Sequence, residues 1–221
     1  MTKIKIAIVD DEKLIVEGLK MILEQDSYLA VTNTAHNGIE LFDQINQGRF
    51  LADIILLDIS MPLMDGIEIF KKLNELKLPY KVIVLTSYYN DGMIIRFLDE
   101  GVSAFLAKNE ALDELTATIK NVFHKGFHIN EYILSLIRNR RLKPKASKIH
   151  EELSDREKEI LKLICNEHTN KEIADFLYIS QRTVEGHRNR ILEKIDKKNT
   201  AGMVIYAIEN NIIDVKVRKY K

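Results

Sequence analysis

Short, almost uninterrupted apolar runs alternate with stretches of helical spacing over the first 125 residues of the chain. Ile4 to Val9 (IKIAIV) reads as a buried strand, and Leu14 to Leu23 as the helix that follows it. Leu29 to Thr34 is a weaker strand, and Ile39 to Ile45 opens a second helix. The alternation recurs three more times, with strands at 54–57, 82–85 and 104–107 and helices at 66–76, 93–100 and 113–124. Strands this apolar have no face to offer water, so they predict a parallel sheet covered by helices on both sides. Five βα units of this kind make a small doubly wound α/β domain. In such sheets ligands bind beyond the carboxyl ends of the strands, at the topological switch point.

From Leu153 onward the pattern changes to short helices without strands. Ser154-Asp155-Arg156-Glu157 has the form of a capping box, in which serine and glutamate satisfy each other's orphan backbone donors. Ile160, Leu161, Ile164 and Cys165 form the apolar stripe behind it. Asn170 is a candidate cap for a second helix, with Ile173, Ala174, Phe176 and Leu177 inward. Ser180 caps a third with Val184, Ile191 and Ile195 inward, and Thr200 a fourth running through Val204, Ala207 and Ile208. Helices joined through a Tyr178-Ile179-Ser180 turn have the form of a helix-turn-helix domain. Between the two parts, Arg138 to Lys148 (RNRRLKPKASK) carries six Lys/Arg, one Pro and no acid, and reads as a solvated linker after a short helix from Asn130. The expected division is 1–128 for the α/β domain, 129–149 for helix and basic linker, and 150–215 for a small all-α domain.

At 221 residues the chain accommodates two domains. Its net charge of zero hides an asymmetry: residues 1–135 hold 13 Lys/Arg and 20 Asp/Glu, and the remainder holds the reverse. Most of the C-terminal surplus sits in the basic linker, so the all-α domain is itself close to neutral and charge alone does not specify a polyanionic partner. The single Cys165 excludes an internal disulfide framework, fits a reducing compartment, and is expected in the core. Met1-Thr2-Lys3 leads straight into a strand-like run without the pattern of a signal peptide. No stretch approaches the roughly 18 apolar residues of a membrane span. A cytoplasmic protein with no membrane partner is expected.

Four of the apolar strands end in residues with chemistry. Asp10-Asp11 follows the first, Asp58 closes the third (DIILLDISMPLMDG), Thr86 the fourth and Lys108 the fifth. Singly, each has an ordinary reading: an acidic pair after a strand often caps a helix, and Asp11 or Glu12 could cap the one near Leu14. Together, at one edge of one sheet, they form a site. Close carboxylates repel, and a hard divalent cation bound through oxygen relieves them, so Asp10, Asp11 and Asp58 are candidate Mg²⁺ ligands. An aspartate can attack phosphorus to give an acyl phosphate. Phosphoryl transfer then needs alignment and charge neutralisation, which Mg²⁺, Lys108 and the Thr86 hydroxyl could supply.

The set Asp10-Asp11, Asp58-x-x-Met61-Pro62, Asp65-Gly66, Thr86-Ser87 and Lys108, spread over roughly residues 3–125, resembles the receiver domain of two-component response regulators. The resemblance implies a flavodoxin-like fold with Asp58 as phosphoacceptor, Asp11 as direct Mg²⁺ ligand, Asp10 acting through water and Ser60 contributing its backbone carbonyl. Thr86 and Phe105 fall where the family places its conformational switch pair. Phe105 lacks the hydroxyl of many relatives, and Asn109 follows Lys108 where many receivers have proline.

The run from Leu153 to Ile195 resembles the LuxR-type helix-turn-helix of the NarL/FixJ response regulators, through Asn170-Lys171-Glu172-Ile173-Ala174 and Thr183-Val184-x-x-His187. This implies a recognition helix over 181–194 lying in the major groove. Glu185, Gly186 and Asn189 would face the bases, where Asn suits adenine and Glu accepts from a cytosine amino group. Gly186 costs about 1 kcal/mol in a helix, which close approach to a duplex would explain. Lys171, Arg182, Thr183, Arg188, Arg190 and Lys194 are candidates for phosphate contacts, which position without specifying. His187 is expected to be packed or to touch phosphate. Glu185 departs from the Lys common at its position.

The two resemblances together imply a DNA-binding transcription regulator that is phosphorylated on Asp58 by a sensor histidine kinase with Mg²⁺. It would dimerise on activation, bind double-stranded DNA, and have no enzymatic activity beyond phosphotransfer onto its own Asp58. A haloacid-dehalogenase-like phosphatase is a rival nucleophilic-aspartate enzyme, but it needs an aspartate two positions after the nucleophile as general acid, and that position is Ser60. A receiver fold governed by a protein partner instead of phosphate is a second rival, against which the intact acid, threonine and lysine set counts.

Overall fold

The structure, a computed structural model, describes residues 3–87, 90–141 and 153–213. Five strands, β1 (Ile4–Val9), β2 (Leu29–Ala35), β3 (Ile54–Leu57), β4 (Lys81–Thr86) and β5 (Ala104–Ala107), form one parallel sheet in the order β2-β1-β3-β4-β5. Chain direction across the sheet reverses between β1 and β3, so the switch point lies beyond Val9 and Leu57, where Asp10 and Asp58 follow.

The helices between the strands are α1 (Lys13–Leu23), α2 (Gly38–Asn46), α3 (Gly66–Glu75), α4 (Asp91–Glu100) and α5 (Leu112–Lys125). Alternation of side chains along a strand sorts the apolar residues onto two faces. Ile6 and Ile8 of β1, Ile54 and Leu56 of β3, Ile83 and Leu85 of β4 and Leu106 of β5 pack with Val16 and Leu23 of α1 and Leu115, Ile119 and Val122 of α5. The intervening Ala7, Val9, Ile55, Leu57, Val82 and Val84 are equally buried. Right-handed crossovers put α2 and α3 over that second face, with Leu41, Phe42, Ile69, Phe70 and Leu73 as their buried residues. Asn37, Asp65 and Asn90 cap α2, α3 and α4, each accepting from the backbone N–H three residues on. For α1 the ordinary alternative of an acidic side-chain cap is not realised: Glu12 occupies the cap position without a side-chain bond to the helix, and its carboxylate accepts from Lys108. Leu14, read as part of the helical stripe, is 85% exposed.

Packing divides the chain into two compact units: the sheet with α1, α2, α3 and most of α5, and a second unit gathering α4 with the helices that follow α5. These are α6 (Glu131–Arg141), α7 (Asp155–Cys165), α8 (Asn170–Leu177), α9 (Gln181–Lys194) and α10 (Thr200–Glu209). The first four residues of the expected linker therefore belong to α6, whose Leu136 and Ile137 are buried, while residues 142–148 lie outside the described residues. Within this unit Asn199 Nδ2 donates to the carbonyl of Gly101, the left-handed residue that ends α4 at φ +99°. Lys197 lies 3.6 Å from Asp99, and Tyr132 of α6 donates to Asp91 at 2.6 Å.

The core of the C-terminal helices is built from Ile160, Leu161 and Ile164 of α7, Ile173 and Ala174 of α8, Val184 and Ile191 of α9 with Ile195, and Met203 and Ala207 of α10. Ser154 and Glu157 form the expected capping box, and Ser180 caps α9. Two expected caps are shifted by one residue. Thr169, not Asn170, caps α8 through a second capping box with Glu172, and Asn199, not Thr200, caps α10. In each case the preceding residue also has a cap-forming side chain, and it is the one from which the third backbone N–H can be reached. Phe176, expected inward, is 64% exposed, because it lies on the flank of α8 away from Ile173 and Ala174.

Cys165 is partly buried against this core, and burial pushes its thiol up to about 12. The thiolate fraction at pH 8 is then on the order of 10⁻⁴. A thiol reagent such as Ellman's is expected to label the native protein at pH 8 only at the rate of unfolding, and urea is expected to release one rapidly reacting thiol per chain. Rapid labelling of the native protein would contradict this placement.

Candidate functional site

The ends of the central strands converge on one cluster. Backbone hydrogen bonds hold each chemical residue against its neighbouring strand: Asp10 N to Ala35 O (3.0 Å), Asp58 N to Val9 O (2.9 Å) and Lys108 N to Thr86 O (2.9 Å). Asp10 and Asp58 are buried, and Thr86 is fully so. Lys108 places its ammonium 2.8 Å from Asp10 Oδ2, 3.2 Å from Asp58 Oδ2 and 3.2 Å from Glu12 Oε1. One cation thus bridges three acids, two of them buried and the third largely exposed.

The electrostatics follow from that geometry. Burial raises the carboxyl of Asp10 above its ordinary value, against the hydrogen bonds from Lys108 and from Glu12 N–H and the charge of Lys108, which pull it down. Burial alone would lower the ammonium of Lys108, but its hydrogen bond to Asp10 and the charges of Asp10 and Asp58 outweigh this and raise it. The lysine is therefore held charged between the acids, and its contribution to stability is present at neutral pH and lost only as pH rises through its raised value. Asp58 Oδ1 is buried and accepts no hydrogen bond. Asp10, Asp11 and Asp58 each offer an oxygen within 4.8 Å of the others, a donor set of hard anionic oxygens suited to a divalent cation.

Around Asp58 the chain turns sharply into α3. Gly66 N donates to Ile59 O at 2.9 Å, and Ser60 is exposed on the turn between them. A Cβ on Gly66 would fall 2.3 Å from the carbonyl oxygen of Asp58 and 2.8 Å from Ile59 Cα. Close backbone approach, and not a special φ, is what requires glycine there. Phe105 is buried on β5 opposite Val84, two residues before Thr86 on β4. No cis peptide occurs among the described residues, including the one after Lys108.

The C-terminal helices present a second candidate surface. α8 and α9 are joined through Tyr178 in the left-handed conformation (φ +54°). Val184 and Ile191 anchor α9 inward, leaving Arg182, Thr183, Glu185, Asn189, Arg190 and Glu193 exposed and Gly186 half-buried between them. A Cβ on Gly186 would meet only the far end of Arg190, so nothing within the fold demands glycine there. Arg190 Nε donates to the carbonyl of Gly186, and Lys171 is exposed on α8. His187 is half-buried; burial, then the charges of Arg190 and Arg156, hold its imidazole below the usual range.

Two of the expected phosphate-contacting cations are directed inward. Arg188 Nη2 donates to Thr200 Oγ1 at 2.6 Å, and Lys194 Nζ lies 3.0 Å from the buried carboxylate of Glu157. Burial would raise that carboxyl, but the Ser154 N–H, Lys194 and the Ser154 hydroxyl together hold it below its ordinary value. The Glu157–Lys194 pair and the Glu12–Lys108 pair join residues far apart in sequence, and no spacing in the chain announced them.

Residues 6–120 match the family described as the response regulator receiver domain, and residues 151–207 match the luxR family of bacterial regulatory proteins. The chain belongs to the response regulators. It is 31% identical over 210 residues to the response regulator protein VraR of Staphylococcus saprophyticus, covering 95% of this chain and 99% of that one. It is 32% identical over 209 residues to a putative transcriptional regulator of Pseudomonas aeruginosa, again covering 95% and 99%. Among solved structures, RcsB of Salmonella enterica serovar Typhimurium bound to a promoter in the presence of the phosphomimetic BeF₃⁻ shares the fold, with a TM-score of 0.56, 22% identity, and 95% and 100% of the two chains covered. This response regulator is thus a DNA-binding transcription regulator of a two-component system, with a flavodoxin-like receiver and a LuxR-type helix-turn-helix. None of the described helices of the response regulator is long and apolar enough to cross a membrane.

Proposed function

We propose that this response regulator stores a signal as an acyl phosphate on Asp58, received from a sensor histidine kinase, and converts it into a change in DNA binding. The observation that carries this is the buried Asp58 carboxylate, with one oxygen on Lys108 and the other accepting no hydrogen bond. A carboxylate oxygen of Asp58 attacks phosphorus, the P–N bond to the kinase histidine breaks, and the electron pair and a proton end on the departing imidazole. Asp10, Asp11 and Asp58, with the backbone carbonyl of Ser60, are the residues that would hold Mg²⁺. Bound there, the ion would neutralise charge on the phosphoryl oxygens. Lys108 supplies a fixed cation to the same oxygens, and Thr86 a hydroxyl. Ser60 stands where a haloacid-dehalogenase-like phosphatase carries its general-acid aspartate, which favours phosphotransfer onto Asp58 itself over turnover of external esters.

The bound phosphoryl group adds about −1.5 to −2 charge at the strand ends. It acts only through the arrangement it stabilises better, which here is Thr86 and Phe105 drawn toward it. α4 follows Thr86 in the chain and is tied through Asp99 and Gly101 to Lys197 and Asn199 before α10. A shift of α4 would loosen those ties, freeing the C-terminal helices to bind paired half-sites as a homodimer. Glu185, Gly186 and Asn189 read bases, while Lys171, Arg182, Thr183 and Arg190 hold phosphates. His187 supports the same helix, and the whole acts in the cytoplasm.

Incubation with radiolabelled acetyl phosphate tests the acceptor. Label is expected on the wild type with Mg²⁺, abolished by a chelator, and released by alkali as an acyl phosphate would be. Absence of label with Mg²⁺ would sink the proposal. Selection from random duplexes, with and without acetyl phosphate, tests the reader; failure to enrich any sequence in either condition would refute specific DNA recognition.

A further inference from the structure

We propose that Lys194 and Glu157 form a tether that sets the orientation of α9, and that Lys194 is a positioning residue for DNA recognition and not a phosphate contact. This rests on the reading of α9 as the helix that meets DNA. Val184, His187, Ile191 and Lys194 recur at spacings of three and four, so Lys194 lies on the inward stripe of the helix. Its ammonium ends 3.0 Å from Glu157 Oε2, and the side chain of Glu157 is 4% exposed. The same oxygen accepts from Ser154 N (2.8 Å) and Ser154 Oγ (3.0 Å), so one atom joins the N-terminal cap of α7 to the last turn of α9.

The packing of Val184 and Ile191 against α7 is apolar and sets no angle, since hydrophobic contact is non-directional. An ion pair with a buried carboxylate is directional. Such pairs add little net stability compared with an apolar replacement, and their best-attested use is to select one arrangement among several. At α9 that arrangement decides where Glu185 and Asn189 point. Arg188, bonded to Thr200, restrains the middle of the helix, and the Ser180 cap its start. Without the tether the C-terminal half of α9 can roll on its apolar seam.

The two roles for Lys194 predict opposite signs for Glu157→Gln. Glutamine keeps the volume and serves in a capping box, and at 3% exposure Glu157 is itself out of reach of DNA. If Lys194 were a phosphate contact, neutralising Glu157 would free a cation and strengthen binding. As a tether, its loss weakens binding to a duplex selected by the wild type by about tenfold, the worth of one charge-assisted hydrogen bond. Affinity for poly(dI-dC) would be unchanged.

Lys194→Met gives a second reading. A lost phosphate contact reduces the slope of log K against log salt by about 1, whereas a lost tether lowers specific affinity at constant slope. Thermal unfolding confirms that the proteins compared are folded. Should either single variant fail to fold, the double variant Glu157→Gln/Lys194→Met, which buries no charge, is expected to show the specific loss at a slope unchanged from wild type. Stronger binding by Glu157→Gln, or a slope reduced by about 1 in Lys194→Met or in the double variant, would overturn the inference. Asn189→Ala is the control on its premise: if that variant binds the selected duplex as the wild type does, it is the reading of α9 that fails, and not the tether.

Discussion

Asp58→Asn is expected to reduce phosphoryl uptake to the level of a blank, with no loss of folded stability. The amide differs from the carboxylate by one heavy atom type and keeps its shape, but its oxygen carries no charge with which to attack phosphorus. The surroundings determine why stability survives. Lys108 is shared among Asp10, Asp58 and Glu12, so the cluster holds more negative than positive charge at neutral pH. Removing one of two neighbouring buried carboxylates relieves repulsion, and Lys108 keeps its 2.8 Å bond to Asp10. Label from acetyl phosphate and the urea midpoint, measured on the same preparations, check both halves. Labelling of Asp58→Asn at the wild-type rate would move the acceptor elsewhere. Lost labelling together with a large fall in midpoint would make Asp58 a structural residue first.

Much of the sheet was legible because each strand is a run of residues that cannot face water. β1, β3 and β5 match their expected limits, β2 runs one residue further at its end, and β4 one residue further at both ends. The strand-end positions of Asp10, Asp58, Thr86 and Lys108 were legible for the same reason, since a parallel sheet brings the ends of its strands together whatever their distance in sequence. Which atoms meet was not legible. For Glu12, as for Asp11, the sequence offered only the ordinary alternative of a helix cap, because local capping is what an acid before a helix ordinarily does; the ion pair of Glu12 was not legible. Its partner Lys108 is 96 residues away. Lys194 was a candidate phosphate contact through the family resemblance; its place on the inward stripe was visible in the spacing, but the buried acid beside it, Glu157, was not. Phe176 shows the converse failure: an apolar side chain next to a true core pair was assigned inward on hydrophobicity, where its angle on the helix points it out.

Gly66→Ala is expected to slow phosphoryl uptake by about 10²-fold and to lower stability by about 1–3 kcal/mol. The opposite would follow from helix propensity alone, since Gly66 opens α3 and alanine is favoured over glycine by about 1 kcal/mol within a helix. The decisive quantity is the distance: the added carbon would sit 2.3 Å from Asp58 O, 2.8 Å from Ile59 Cα and 3.1 Å from Asp58 C. All three neighbours are backbone, so no rotamer change relieves the overlap. Either α3 backs away or the turn carrying Asp58 moves, and restoring ordinary contact demands a shift on the order of 1 Å, the displacement that costs about 10²-fold in aligned reactions. The bond from Gly66 N to Ile59 O would stretch with it. Initial rates of labelling from acetyl phosphate, with urea midpoints, measure the two effects separately. A variant that is more stable than the wild type and labels at its rate would show that the turn yields freely, and that the glycine does not hold Asp58 in place.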